Sequence, residues 1–311
     1  MPRHLISIHD LSAAEVAGLF RLAADVKANP AKYENHMHRK TLGMIFEKSS
    51  TRTRVSFEVG MAQMGGHALF LSSRDIQLGR GEPISDTAQV LSRYVDGIMA
   101  RTFAHKTVTD LADYGSIPVI NGLTDDLHPC QGLTDYFTLT EVFGGLEALA
   151  GRKLAYVGDG NNMAHSLMFG AAKAGMDVAI ASPRGYEVKP QWASLAMQDA
   201  AEAGTKVTLT NDPKEAVEGA SAVYTDVWAS MGQEAEAQQR LKDFHGFIVD
   251  RALMSHARED AVFLHCLPAH RGEEVSAEVC DGPQSRIFDE AENRLHVQKA
   301  VMLWLMAGVE V

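Results

Sequence analysis

The chain has 311 residues, 46% hydrophobic and 22% charged, the composition of a folded protein long enough for two cores of about 150 residues each. A formal net charge of -11 at pH 7 excludes a general affinity for nucleic acid, which needs a basic face, so any anion site must be built locally. Cys130, Cys266 and Cys280 have neither a disulfide-framework nor a zinc-ligand spacing, and no apolar stretch reaches the roughly 20 residues of a membrane span.

In chain order, Met1 to Asp10 carries no apolar signal core, so a cytoplasmic location is expected. Ser12 with Glu15 three residues on is a capping box, which predicts a helix over Ser12 to Ala28. The runs Leu42 to Phe46, Ala68 to Leu71, Gly97 to Ala100 and Ile117 to Ile120 alternate with helical patterns and read as buried parallel strands. Glycines between Gly144 and Arg152 close one helical pattern before the next strand, dividing the chain into domains 1–147 and 148–311. Leu154 to Val157, Val178 to Ala181, Val207 to Thr210, Ala222 to Tyr224, Phe247 to Val249 and Val262 to Leu264 then repeat the rhythm. Arg294 to Ala307 predicts a terminal helix, which a two-domain chain can route back to its first domain. The expected fold is α/β, two doubly wound parallel-sheet domains with an active-site cleft between them.

In such sheets ligands sit beyond the carboxyl ends of the strands. After Leu42 to Phe46 comes Glu47-Lys48-Ser49-Ser50-Thr51-Arg52-Thr53-Arg54 at a helix start. Free N–H groups, small hydroxyls and forked guanidiniums there suit a phosphate dianion, although a plain Ser50 cap with solvated arginines fits the same residues. After Ile117 to Ile120, His128-Pro129-Cys130-Gln131 offers an imidazole donor and a carboxamide, groups able to hold a carbonyl oxygen and a planar amide. A loop-bonded His and a solvated Gln are the bland alternative. After Val262 to Leu264 stands His265-Cys266-Leu267-Pro268, where Cys266 is either a structural thiol or a reactive one. The run Gly158-Asp159-Gly160-Asn161-Asn162-Met163 invites a dinucleotide reading, but its third glycine position is Met163 and Ala181-Ser182 supplies no acidic ribose partner.

Ser50-Thr51-Arg52-Thr53-Arg54, Arg101-Thr102, His128-Pro129-Cys130-Gln131 and His265-Cys266-Leu267-Pro268 occur in the order of the aspartate and ornithine carbamoyltransferase family, which the chain resembles over nearly its whole length. Asp226-Val227-Trp228-Ala229-Ser230-Met231-Gly232 resembles that family's ornithine branch, and a carboxylate suits a cationic amino acid. The resemblance implies transfer of a carbamoyl group from carbamoyl phosphate to the δ-amine of L-ornithine, giving L-citrulline and phosphate without metal or organic cofactor. It implies carbamoyl phosphate contacts from Ser50, Thr51, Arg52, Thr53, Gln77, Arg101, His128, Gln131, Cys266, Leu267 and Arg294, with Arg294 reaching in from the second lobe. Asn162, Asp226, Ser230 and Met231 are the implied ornithine contacts, and Arg101, His128, Cys266 and Asp226 the catalytic groups. Gln77 would reach a neighbouring subunit, making the expected assembly a homotrimer with active sites at subunit interfaces. Asp226 is expected to orient the amine and Cys266 to accept or relay its proton. Rival readings are a carbamoyltransferase for another amine, an NAD-dependent oxidoreductase and a non-catalytic anion-binding protein.

Overall fold

The computed structural model describes residues 2–76, 81–229 and 234–311. The chain divides into two compact units, Met1–Thr134 with Glu292–Val311, and Asp135–Ala291.

In the first unit Ser12 accepts the Glu15 N–H at 3.1 Å while the Glu15 carboxylate takes the Ser12 N–H at 2.8 Å, starting α1 (Ala13–Ala28). There follow β1 (Thr41–Phe46), α2 (Thr51–Gln63), β2 (His67–Ser72), α3 (Ile84–Leu91), β3 (Gly97–Arg101), α4 (His105–Tyr114), β4 (Val119–Leu123) and α5 (Pro129–Phe143). The strands form a parallel sheet in the order β2-β1-β3-β4. Strands β1, β3 and β4 are buried along nearly their whole length, and Ile45, Ile98, Ala100 and Val119 pack with Val108 and Leu111 of α4. Edge strand β2 is the exception, with Leu69 39% and Phe70 38% exposed.

The second unit carries β5 (Lys153–Val157), α6 (Asn162–Ala174), β6 (Asp177–Ala181), α7 (Pro190–Ala203), β7 (Val207–Thr210), α8 (Pro213–Val217), β8 (Ala222–Tyr224), α9 (Ala237–Asp243), α10 (Arg251–Met254), β9 (Val262–Leu264), α11 (Ala277–Cys280) and the start of α12 (Ile287–Ala307). Its sheet is also parallel, in the order β7-β6-β5-β8-β9. The chain passes from the first unit to the second within α5 and returns within α12.

Phe247 to Val249, expected as a strand, is not one. The run is bounded by Gly246 at φ +91° and by Asp250, which caps α10, and among the described residues Val249 makes a single bridge, to Val275. Its residues serve the core instead, Val249 being fully buried and Phe247 nearly so.

In each sheet strand order reverses once, between β1 and β3 in the first unit and between β5 and β8 in the second. Loops leaving the two strands at such a switch point diverge to opposite faces and leave a crevice at their carboxyl ends. Both groups of polar residues described next stand at these two places.

Candidate functional site

In the first unit, β1 runs into α2, whose N-cap Ser50 accepts the Thr53 N–H at 3.1 Å. Ser50 is thus the cap that the plainer reading expected, and it leaves other N–H groups of the first turn pointing along the helix axis. The loop is braced from below: Lys48, 6% exposed, is ion-paired with Asp125 and lies 4.6 Å from the Phe103 ring, and the Glu47 carboxylate accepts the Phe103 N–H at 2.9 Å. Arg54 is turned away, stacked 3.8 Å over Phe70 and paired with Glu58 at 3.0 Å.

At the end of β3, Arg101 is buried, and so are Thr53, His128, Gln131 and Arg294. The Arg294 guanidinium donates to Gln131 Oε1 at 2.5 Å and to Thr53 Oγ1 at 3.1 Å. Burial, reinforced by the guanidiniums of Arg294, Arg101 and Arg52, holds the His128 imidazole well below its ordinary pKa. His128 is therefore neutral near pH 7, a donor to a developing oxyanion and not a cation. Guanidiniums, a neutral imidazole, a carboxamide and a helix N-terminus are groups that can together hold a doubly charged phosphate joined to a small polar carbonyl group. Arg294 differs from expectation in one respect: it belongs to the first unit, because α12 has by then re-entered it.

The second unit holds a cluster of opposite charge. Asp226, at the end of β8, takes the Cys266 S–H on Oδ1 at 3.2 Å, its own Val227 N–H on Oδ1 at 2.8 Å and the Asn161 amide on Oδ2 at 3.0 Å. Burial, then the neighbouring Asp226, pushes the Cys266 thiol well above its ordinary pKa. Cys266 is accordingly a thiol, and it donates to Asp226. Beneath it His265 Nδ1 accepts the Leu267 N–H at 2.9 Å, so Nε2 carries the proton and faces Glu274 at 3.2 Å. Both groups are fully buried, which fixes the imidazole as a support for the turn. Leu267 follows with φ +59°, a left-handed backbone unusual for a branched side chain and held here by that hydrogen bond.

The Gly158-Asp159-Gly160 turn has a packing rationale. A Cβ on Gly160 would collide with the Glu187–Val188 backbone, and Asp159 is paired with buried Arg240 at 2.7 Å. The first amides of α6 are taken by the Asn161 side chain, which accepts the Met163 and Ala164 N–H groups at 2.9 Å and 3.3 Å. Donors that a pyrophosphate would need are thereby occupied. Asn161 is the functional candidate that sequence reasoning passed over. It lay in plain view as an N-cap, but its second role, orienting Asp226, depends on β8 lying beside β5. Asn162 opens α6 next to it. Gln77, Ser230 and Met231 lie outside the described residues.

Two family models match the chain: "Aspartate/ornithine carbamoyltransferase, carbamoyl-P binding domain" over residues 3–141 and "Aspartate/ornithine carbamoyltransferase, Asp/Orn binding domain" over residues 150–305. The ornithine carbamoyltransferase of Bacillus subtilis (strain 168) is 58% identical over 300 residues, 96% of this chain and 92% of that protein. The solved structure of ornithine carbamoyltransferase from Pyrococcus furiosus superposes with a TM-score of 0.94 at 53% identity, covering 99% of this chain and 98% of the other. That of the anabolic ornithine carbamoyltransferase from Campylobacter jejuni does so at 0.91 and 42%, covering 97% and 98%.

Proposed function

The chain belongs to the aspartate/ornithine carbamoyltransferase family, and from that premise we infer that it transfers the carbamoyl group of carbamoyl phosphate to the δ-amine of L-ornithine, giving L-citrulline and phosphate. Within the family the choice of acceptor rests on one observation, the Asp226 carboxylate oriented by three donors at a strand end. A carboxylate so placed attracts an ammonium group and repels aspartate.

On this reading Ser50, Thr51, Arg52 and Thr53 hold the phosphate with the N-terminus of α2, and Arg101 joins them. Arg101, Thr53 and His128 also face the carbonyl oxygen, while Gln131 and the Leu267 backbone hold the carbamoyl amide. Arg294 supports phosphate from α12, and Asn162, Asp226, Ser230 and Met231 receive ornithine. The amine arrives protonated, its reference pKa being near 10, and Asp226 takes or passes on the proton that must leave first. The neutral nitrogen then adds to the carbonyl carbon. Negative charge grows on an oxygen already faced by guanidinium and imidazole donors, which lowers the barrier because no solvent must reorganise. Collapse breaks the carbon–oxygen bond to phosphate, and the departing trianion takes the second amine proton as HPO4 2−. Carbamoyl phosphate is expected to bind before ornithine.

Further parts of the proposal are a biosynthetic role in making arginine, a homotrimer and a cytoplasmic location. Exposed Leu69 and Phe70 on edge strand β2, with exposed Val55 on α2, support a copy-to-copy contact. Cys130, Cys266 and Cys280 are free thiols, in keeping with a reducing compartment. No helix among the described residues is long and apolar enough to cross a membrane. The deciding experiment offers ornithine, N-acetylornithine, putrescine and aspartate in turn with carbamoyl phosphate and measures the ureido product. Ornithine should lead by at least about a hundredfold in kcat/KM, as a site built on buried polar groups discriminates. Equal turnover of another amine would overturn the assignment.

A further inference from the structure

We infer that Gln298 is a positioning residue for the anion cluster of the first unit, holding the Arg294 fork against Thr53 and Gln131. The inference rests on the reading of that cluster as the carbamoyl phosphate site.

Gln298 stands one turn beyond Arg294 on α12 and is fully buried. Its Oε1 accepts the Arg294 Nε–H at 2.9 Å, and its Nε2 donates to Ser56 Oγ at 2.7 Å. The Ser56 hydroxyl in turn donates a hydrogen bond to the Arg52 carbonyl at 2.5 Å. The direction of this chain has no freedom. A guanidinium only donates, so the amide oxygen must face Arg294. The amide nitrogen must then face Ser56, and the hydroxyl, having accepted, has its proton left for the backbone. One side chain thus joins the arginine on α12 to the first turn of α2, the turn that offers its N–H groups to phosphate.

The fork is held at three corners: Nε by Gln298, Nη1 by Gln131 at 2.5 Å and Nη2 by Thr53 at 3.1 Å. The last two partners are themselves expected to touch carbamoyl phosphate, and when substrate binds they must share their hydrogen bonds with it. Gln298 is the corner that substrate does not compete for. It keeps the planar group from turning about its long stem at the moment when the other two bonds rearrange.

The test compares Gln298→Met, which keeps length and burial but removes both bonds, with Ser56→Ala, which cuts only the link to α2, and with Arg294→Ala. Steady-state kinetics of the full chain with each substrate varied would be joined to thermal unfolding. We expect Gln298→Met to raise KM for carbamoyl phosphate about tenfold while KM for ornithine stays within about twofold, and Ser56→Ala to raise it by less. Should Gln298→Met fail to fold, Ser56→Ala alone carries the test through its raised KM for carbamoyl phosphate. A lowered melting temperature with an unchanged KM for carbamoyl phosphate in both variants would make Gln298 a packing residue only and overturn the inference. If Arg294→Ala also leaves that KM unchanged, the assignment of the cluster itself falls, and the inference with it.

Discussion

His128 makes a quantitative demand on how stability depends on pH. Its imidazole is 5% exposed and faces the charges of Arg294, Arg101 and Arg52, so the native protein keeps it neutral at acid pH values where an unfolded chain does not. The native pKa lies below the unfolded value of about 6.5, so the unfolded state binds more protons and stability rises with pH. The contribution is complete above about pH 6.5 and is lost as pH falls toward the native value. The unfolded state gains RT ln(1 + 10^(6.5−pH)), so the contribution changes by at most about 1.4 kcal/mol between about pH 8 and about pH 5.5. The variant His128→Gln keeps a donor but cannot titrate. Native-state hydrogen exchange of the β4 and α5 amides, run in phosphate-free buffer, gives the opening free energy of this region for both proteins. All other titrations cancel in the difference. That difference should move in favour of the variant as pH falls, by up to about 1.4 kcal/mol over this range. A difference independent of pH would refute the claim that His128 is held neutral. Added inorganic phosphate should shrink the effect, since a dianion beside the ring favours its protonated form.

The acceptor cluster makes two demands. Asp226→Asn should lower kcat by about a hundredfold or more with KM for carbamoyl phosphate little changed, whereas Cys266→Ser, which still offers a donor to Asp226, should stay within about tenfold of the parent. Because burial and Asp226 raise the Cys266 pKa, its alkylation by iodoacetamide, followed by peptide mass, should be negligible near pH 7 and climb only in strongly alkaline buffer; a rate already at its plateau at neutral pH would contradict the thiol form. Within the core, Gly170→Ala would drive a methyl group into the Tyr136 ring, whose hydroxyl donates to Leu167 O at 2.7 Å. Thermal unfolding should show a loss of at least about 1–3 kcal/mol, and an unchanged melting temperature would mean that the ring has somewhere to go.

Most strands could be read from the sequence because strands covered on both faces are continuous apolar runs, and Leu42 to Phe46 or Val178 to Ala181 admit little else. Phe247 to Val249 has the same composition, and only its flanking turns, invisible to hydrophobicity, keep it out of the sheet. Residues such as Arg52 and His128 could be singled out because polar groups in the loops after buried strands have few structural excuses. The contacts of Asn161 and Gln298 could not, since each depends on a partner far along the chain. Asn161 meets Asp226 only through β5–β8 pairing, and Gln298 meets Ser56 across 242 positions. Local pattern carries the type of each element and leaves such pairings to the tertiary fold.

The return of α12 to the first unit has a consequence for how the protein is made. Arg294 and Gln298 leave the ribosome after every residue of the second unit, whereas Thr53, Arg101 and His128 emerge long before it. The nascent first unit therefore lacks the guanidinium that Thr53 and Gln131 accept from, and the Gln298 amide that accepts from it. Nascent chains stalled before residue 292 should hold phosphate poorly even if their four-stranded sheet has already formed.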